Sequence, residues 1–218
     1  IGLFHIATFI ISPLNIQNMK GLTENIESIN KKMTAIEVKR ESAIAMSRSI
    51  IRRTKNMIHA IHQGEEFMSI QGELKASVRD MISKLKDEPS VLYSAVVEDA
   101  MMEYSEALIL SAIVRKKDIP SFESLKITPQ SWMLGLADVI GELRRIILTY
   151  LMKGDMAKAS YYFEIMEEIG NEVMNFDVPD AIVPIRRKQD IARGILERTR
   201  SEMTNATVMS SFNKLKEN

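Results

Sequence analysis

Residues 127–155 read ITPQSWMLGLADVIGELRRIILTYLMKGD, and the fold class turns on this stretch. Thr128 followed by Pro129 is an N-cap residue with proline at the first helical position, where the missing N–H is not needed. From there Leu136, Ile140, Leu143, Ile147 and Leu151 recur every three or four residues, the period of one helix face. Gly154-Asp155 then ends one helix and starts another. Asp138 and Glu142 stand at i, i+4, roughly opposite the apolar row.

The same grammar extends in both directions. Leu22 to Gln63 reads as one long helix, with Ile26, Ile29, Met33 and Ile36 at helical spacing and Gly64 as its stop. Glu65 to about Lys86 makes a second helix, ended near Asp87-Glu88-Pro89, and about Ser90 to Lys116 a third. Lys117 to Lys126, with Pro120, is the main loop. Beyond the helix after Thr128, a fifth runs from Gly154-Asp155 to near Phe176. A sixth opens at Val178-Pro179-Asp180 and reaches about Ser201, followed by a weakly helical tail. The expectation is an all-α bundle of about six to seven helices with one long N-terminal helix. Its divisions are an apolar leader over residues 1–21, a helical domain over 22–205 and a tail over 206–218.

Composition supports this reading and excludes several function classes. The 218 residues suffice for one large domain. Aromatics make up 6% while Met reaches 15 residues, a balance that favours helix over strand. Twenty-nine basic and 29 acidic side chains cancel, which argues against general coating of duplex DNA but not against a local basic patch. The absence of cysteine removes disulfides, thiolate metal sites and a Cys nucleophile, and fits a cytoplasmic protein. Ile1 to Ile11 is apolar but too short to span a bilayer, and it lacks a basic flank and a cleavage site. It reads as an ordering or oligomer-contact segment, or a disordered leader, with a signal peptide as the lesser alternative, and no membrane association is expected.

Two constellations carry chemistry. Arg48, Arg52, Lys55, His59 and His62 recur every three to four residues on the long helix and share one face. Such a row matches successive phosphates of a nucleic-acid strand; spacing alone equally describes a solvated face with cations near a helix C-terminus. The second constellation is acidic. Asp99, Glu103 and Glu106 follow i, i+4, i+7, and Asp138 and Glu142 follow i, i+4 on a later helix. Packed side by side, these helices would gather oxygen ligands of the kind Mg2+ takes, although Arg145 could instead pair with Glu142 on a plain polar face. The histidines, His5, His59 and His62, lack the Glu-x-x-His spacing of a di-iron bundle. No phosphate-binding Gly-rich loop, G-x-S-x-G or metalloprotease motif is present.

At these residues the chain resembles the translin / translin-associated factor X family. Thr128-Pro129, Leu134-Gly135, Ala137-Asp138, Gly141-Glu142-Leu143, Arg145 and Gly154-Asp155 are similar to the signature helix of translin-associated factor X. Glu103-Tyr104-Ser105-Glu106-Ala107 resembles the family's Glu-Tyr-x-Glu-Ala. Ser47-Arg48-Ser49-Ile50, Lys55, Ile58 and His62 resemble its first long helix, and His62-Gln63-Gly64 is also similar to translin. The resemblance covers about Leu22 to Met203. The region of helix two and the loop over Lys117 to Lys126 are shorter than in eukaryotic factor X proteins, as in a compact, archaeal-type version.

The resemblance implies a helical bundle of about seven helices that assembles into a hollow oligomer, an octamer in the family, enclosing RNA. It implies catalysis by Glu103, Glu106 and Asp138, with Glu142 as a further acidic position holding Mg2+ (or Mn2+). Arg48, Arg52, Lys55 and Arg145 would grip the nucleic-acid backbone. The expected function is a Mg2+-dependent endoribonuclease acting on single-stranded RNA or RNA fragments inside a homo-oligomeric shell, closer to the catalytic branch. The alternative is a non-catalytic translin-type protein that binds single-stranded RNA or DNA.

Overall fold

A computed structural model describes residues 21–216, so Ile1–Ile11 and the rest of the expected leader before Gly21 lie outside the described residues. The chain is all-helical, as predicted. The long helices are α1 (Leu22–Gln63), α2 (Met68–Leu85), α4 (Ala95–Val114), α6 (Pro129–Met152), α7 (Met156–Asn175) and α8 (Arg186–Lys216). Two single turns, α3 (Pro89–Leu92) and α5 (Phe122–Leu125), interrupt the connections. Among the described residues there is no strand.

The helix boundaries have local causes. Thr128 accepts a hydrogen bond from the Ser131 N–H at 3.1 Å, and Pro129 follows it in the first turn. Gly64 ends α1 in the left-handed region (φ 72°) and returns its N–H to the last turn. Asp155 caps α7 by accepting from the Lys158 N–H at 3.1 Å.

The structure differs from the sequence reading at four places. The helix expected over Ser90–Lys116 breaks at Tyr93-Ser94, where Ser94 is extended and its hydroxyl donates to the Val91 carbonyl at 2.7 Å. The loop over Lys117–Lys126 contains α5, capped by Ser121. The last helix begins at Arg186, not Val178. Pro179 serves a turn, closed by the Ile182 N–H on its carbonyl at 2.8 Å, and Pro184 disfavours helix at the residue before it. α8 then runs unbroken to Lys216, through the stretch read as a weakly helical tail.

Helix α6 is the centre of the bundle, packed against α4, α7 and α8, while α1 packs against α2 and α4. Ile140, Leu143 and Ile147 are wholly buried, meeting a core that includes Ile50, Met57, Ile109, Leu110 and Met166. Gly135 permits the tightest part of this packing. A Cβ there would lie 2.6 Å from the Met102 carbonyl oxygen and 2.8 Å from Ser105 Cβ, so α4 and α6 nearly touch beside Glu106. α8 is tied to α6 by Arg144, which donates to both carboxylate oxygens of Glu202 at 2.7 and 2.8 Å and to Thr199 at 2.9 Å.

α1 behaves as two halves. Its second half is cemented by Ala43, Ser47, Ile50, Thr54, Met57, Ile58 and Ile61. In its first half, Leu22, Ile26, Ile29 and Met33 are each about half exposed, an apolar stripe with no cover among the described residues. No helix among the described residues is long and apolar enough to cross a membrane.

Candidate active site

The acids predicted from spacing face one another across the α4–α6 contact. Glu103 and Glu106 from α4, and Asp138 and Glu142 from α6, line a single open cleft of about 540 Å3. α1 closes one side with Lys55, Ile58 and His59, and Arg145 stands at the end of the acidic row. Asp138 and Glu142 are therefore not on a free polar face: their side chains are 32% and 25% exposed. Because α6 is flanked by neighbours on most of its circumference, the side opposite its apolar row faces the groove between α1, α4 and α8.

Glu106 is the deepest member, 8% exposed, and makes no hydrogen bond or ion pair among the described residues. Burial, then the charges of Asp138, Glu103 and Glu142, push its pKa up to about 8. Glu103 is raised as well, chiefly by burial, with the Lys55 charge opposing. An acid in this state keeps its proton up to about pH 8, and a divalent cation replacing that proton would relieve both its desolvation and the repulsion from its acidic neighbours.

The remaining two acids are engaged. Glu142 bonds the His62 ring rather than Arg145, which is exposed. Asp138 holds the Lys188 ammonium, whose Nζ is 2.5 Å from each carboxylate oxygen. As arranged, no three Asp, Glu or His side chains among the described residues converge closely enough to chelate one ion. The four acids fit a hard divalent cation by donor type, and three of them would have to draw closer than they now lie to chelate one ion.

Not every predicted residue reaches the cleft. Arg48 and Arg52 are exposed on α1 and lie outside its lining, continuing the row that Lys55 begins. Asp99 is exposed on α4 and also falls outside. Lys188 was missed by the sequence reading. The run Arg186-Arg187-Lys188 is a visible basic cluster, but no spacing rule connects it to Asp138, 50 residues earlier. The pairing of His62 with Glu142, 80 residues apart, was invisible for the same reason.

No family model matches the chain. An uncharacterized protein of Methanocaldococcus jannaschii is 36% identical over 169 residues, 75% of this chain and 74% of that protein. The crystal structure of AfC3PO is 32% identical, with a TM-score of 0.71, covering 85% of this chain and 98% of that one. Its complex with duplex RNA matches at 31% identity and a TM-score of 0.71, over 85% and 97% of the two chains. Apo-NeC3PO shares the fold at 22% identity and a TM-score of 0.73, covering 84% of this chain and 97% of that one. Near-complete alignment with AfC3PO at this identity establishes that the chain belongs to the translin / translin-associated factor X (C3PO) family.

Proposed function

We propose that this protein is a divalent-cation-dependent endoribonuclease that binds RNA in the cleft between α1, α4 and α6. The observation that carries the reading is the gathering of four carboxylates from two helices at the floor of a cleft with Lys55, His59 and Arg145 beside them. AfC3PO has been solved with duplex RNA, which supports RNA as the ligand class.

Lys55 and Arg145 would hold phosphates over the acids. Arg52 and Arg48 would continue the contact along α1, about 10 Å of helix from Lys55 to Arg48. Contacts of this type read the backbone and not the bases, so selectivity would rest on strandedness and access. Glu103, Glu106 and Asp138 would hold Mg2+ or Mn2+, with Glu142 in support. The bound cation would polarise the phosphodiester and ease deprotonation of the attacking water. His62 fixes the orientation of Glu142, and the close α4–α6 contact at Gly135 fixes Glu106 against Asp138.

We propose also that the chain assembles as a homo-oligomeric shell, an octamer, with this cleft on its inner face. The uncovered apolar stripe of Leu22, Ile26, Ile29 and Met33 on α1 supports self-association, and sedimentation as a monomer would remove this part of the reading. A second reading, a non-catalytic shell for single-stranded RNA or DNA, is favoured by one observation. Two of the four acids are already satisfied by Lys188 and His62. Incubating end-labelled single-stranded and duplex RNA with the protein in Mg2+ and in EDTA separates the two. Cleavage that stops on chelation supports the nuclease; salt-dependent binding that leaves RNA intact in both supports the second reading.

A further inference from the structure

We infer that Lys188 is the resident cation of the acidic cleft: its ammonium occupies Asp138 until a divalent ion enters, and it must leave that carboxylate for the ion to be chelated. The inference rests on the cation site proposed above and names a residue that sets its affinity. Nζ of Lys188 lies 2.5 Å from both Asp138 oxygens, on the bidentate side of the carboxylate that a metal would use. Lys188 also acts electrostatically on Glu103 and Glu106, so its charge is felt by three of the four acids. With Lys188 in its present position both Asp138 oxygens are already taken by an ammonium, so a cation entering beside Glu103 and Glu106 has to compete with it for them.

The backbone beneath Lys188 is fixed, and among the described residues its side chain is held by the ion pair with Asp138 alone. Gln189, the next residue, donates its Nε2 to the carbonyls of Val173 (2.9 Å) and Phe176 (2.8 Å), and Ile185 is buried, so the first turn of α8 is pinned to the end of α7. The Lys188 side chain is 23% exposed and has four rotatable bonds leading to a compact charge. It can therefore swing from Asp138 into the cleft without moving α8. A monovalent ammonium and a divalent ion repel each other and compete for the same oxygens, so occupancy of one excludes the other. Once displaced, the ammonium remains near enough to meet an RNA phosphate.

A lysine that merely oriented Asp138 for a metal would behave in the opposite way, because losing such a partner weakens metal affinity about 10- to 100-fold. The test is Mn2+ affinity of the full chain without RNA, measured by calorimetric titration and by the spin-resonance signal of free Mn2+. Wild type is compared with Lys188→Met and with Lys188→Arg, which keeps the charge. We expect Lys188→Met to bind Mn2+ about tenfold tighter or more, and Lys188→Arg to bind no tighter than wild type. Circular dichroism of each variant establishes that it is folded. Equal or weaker binding by Lys188→Met, with wild type binding measurably, would overturn the role of Lys188 and leave the proposed cation site standing. Mn2+ binding to none of the three would overturn both.

Discussion

Adding one methyl group to Gly135 tests whether the α4–α6 contact positions the acids. The new Cβ would sit 2.6 Å from the Met102 carbonyl oxygen, 2.8 Å from Ser105 Cβ and 3.0 Å from the Glu106 nitrogen. Two of these three neighbours are backbone atoms, so no side-chain rotation relieves the clash and the helices must separate. Overpacking of this kind costs about 1–3 kcal/mol, offset by the roughly 1 kcal/mol by which alanine exceeds glycine inside a helix. A net loss of up to about 2 kcal/mol, at about 2–4 °C per kcal/mol for a chain of this size, lowers Tm by up to roughly 8 °C. Gly141, six residues along the same helix, is the control: nothing lies within 4 Å of a Cβ there, so Gly141→Ala keeps only the helical gain and raises Tm. The assay is thermal unfolding by far-UV circular dichroism at one fixed protein concentration, since self-association makes Tm concentration-dependent. Opposite signs are expected for the two alanines. A Gly135→Ala protein as stable as Gly141→Ala would refute the tight contact, and with it the reason given for Glu106 and Asp138 facing each other.

Glu106, with its pKa raised to about 8 by burial and its acidic neighbours, should make stability fall as pH rises from about 4, its unfolded range, to about 8. Urea unfolding of wild type and Glu106→Gln should therefore diverge in favour of the glutamine variant by roughly 1–3 kcal/mol between pH 5 and pH 8; a constant difference would contradict the raised pKa. Arg144→Ala should lower stability by about 1–3 kcal/mol through the loss of its forked contact with Glu202 and its bond to Thr199, whereas the exposed Arg145→Ala should stay within about 0.5 kcal/mol of wild type. Denaturant titration of both checks this, and equal losses would refute the assignment. Lys55→Ala should reduce the slope of log affinity for single-stranded RNA against log salt by about 0.7, the contribution of one phosphate contact; an unchanged slope would take Lys55 off the RNA path.

The sequence was most informative where chemistry is local. Thr128-Pro129, Gly64 and Asp155 are short-range signals, and each marks the boundary expected of it. Helical spacing also placed Glu103 with Glu106 and Asp138 with Glu142, because i, i+3 and i, i+4 relations survive whatever the tertiary packing. That the two pairs share a cleft depends on which helices adjoin; Gly135 was visible as a residue, but its contact with Met102 was not. Long-range partners were illegible. Lys188 reaches Asp138 and His62 reaches Glu142 across 50 and 80 residues, and nothing in periodicity encodes such a meeting. The start of α8 was missed for a local reason: Pro184 outweighs the helix-opening signal of Pro179-Asp180. Spacing likewise could not show that Ile26, Ile29 and Met33 would find no cover within the described chain, since an apolar row looks the same whether it meets its own core or another surface.

Under the proposed function the acids of the cleft cut RNA, and this role is distinct from merely shaping the site. It is tested most directly by measuring binding and cleavage of one end-labelled single-stranded RNA in Mg2+, side by side, for wild type, Glu103→Gln and Glu106→Gln. These substitutions keep side-chain size while removing the ionisable carboxyl group. Wild type is expected to bind and cleave, and both variants to bind at least as well while cleavage falls by a hundredfold or more, on the order of 3 kcal/mol of transition-state stabilisation. Cleavage at wild-type rates by both variants, or none by any of the three despite tight binding, would contradict the account.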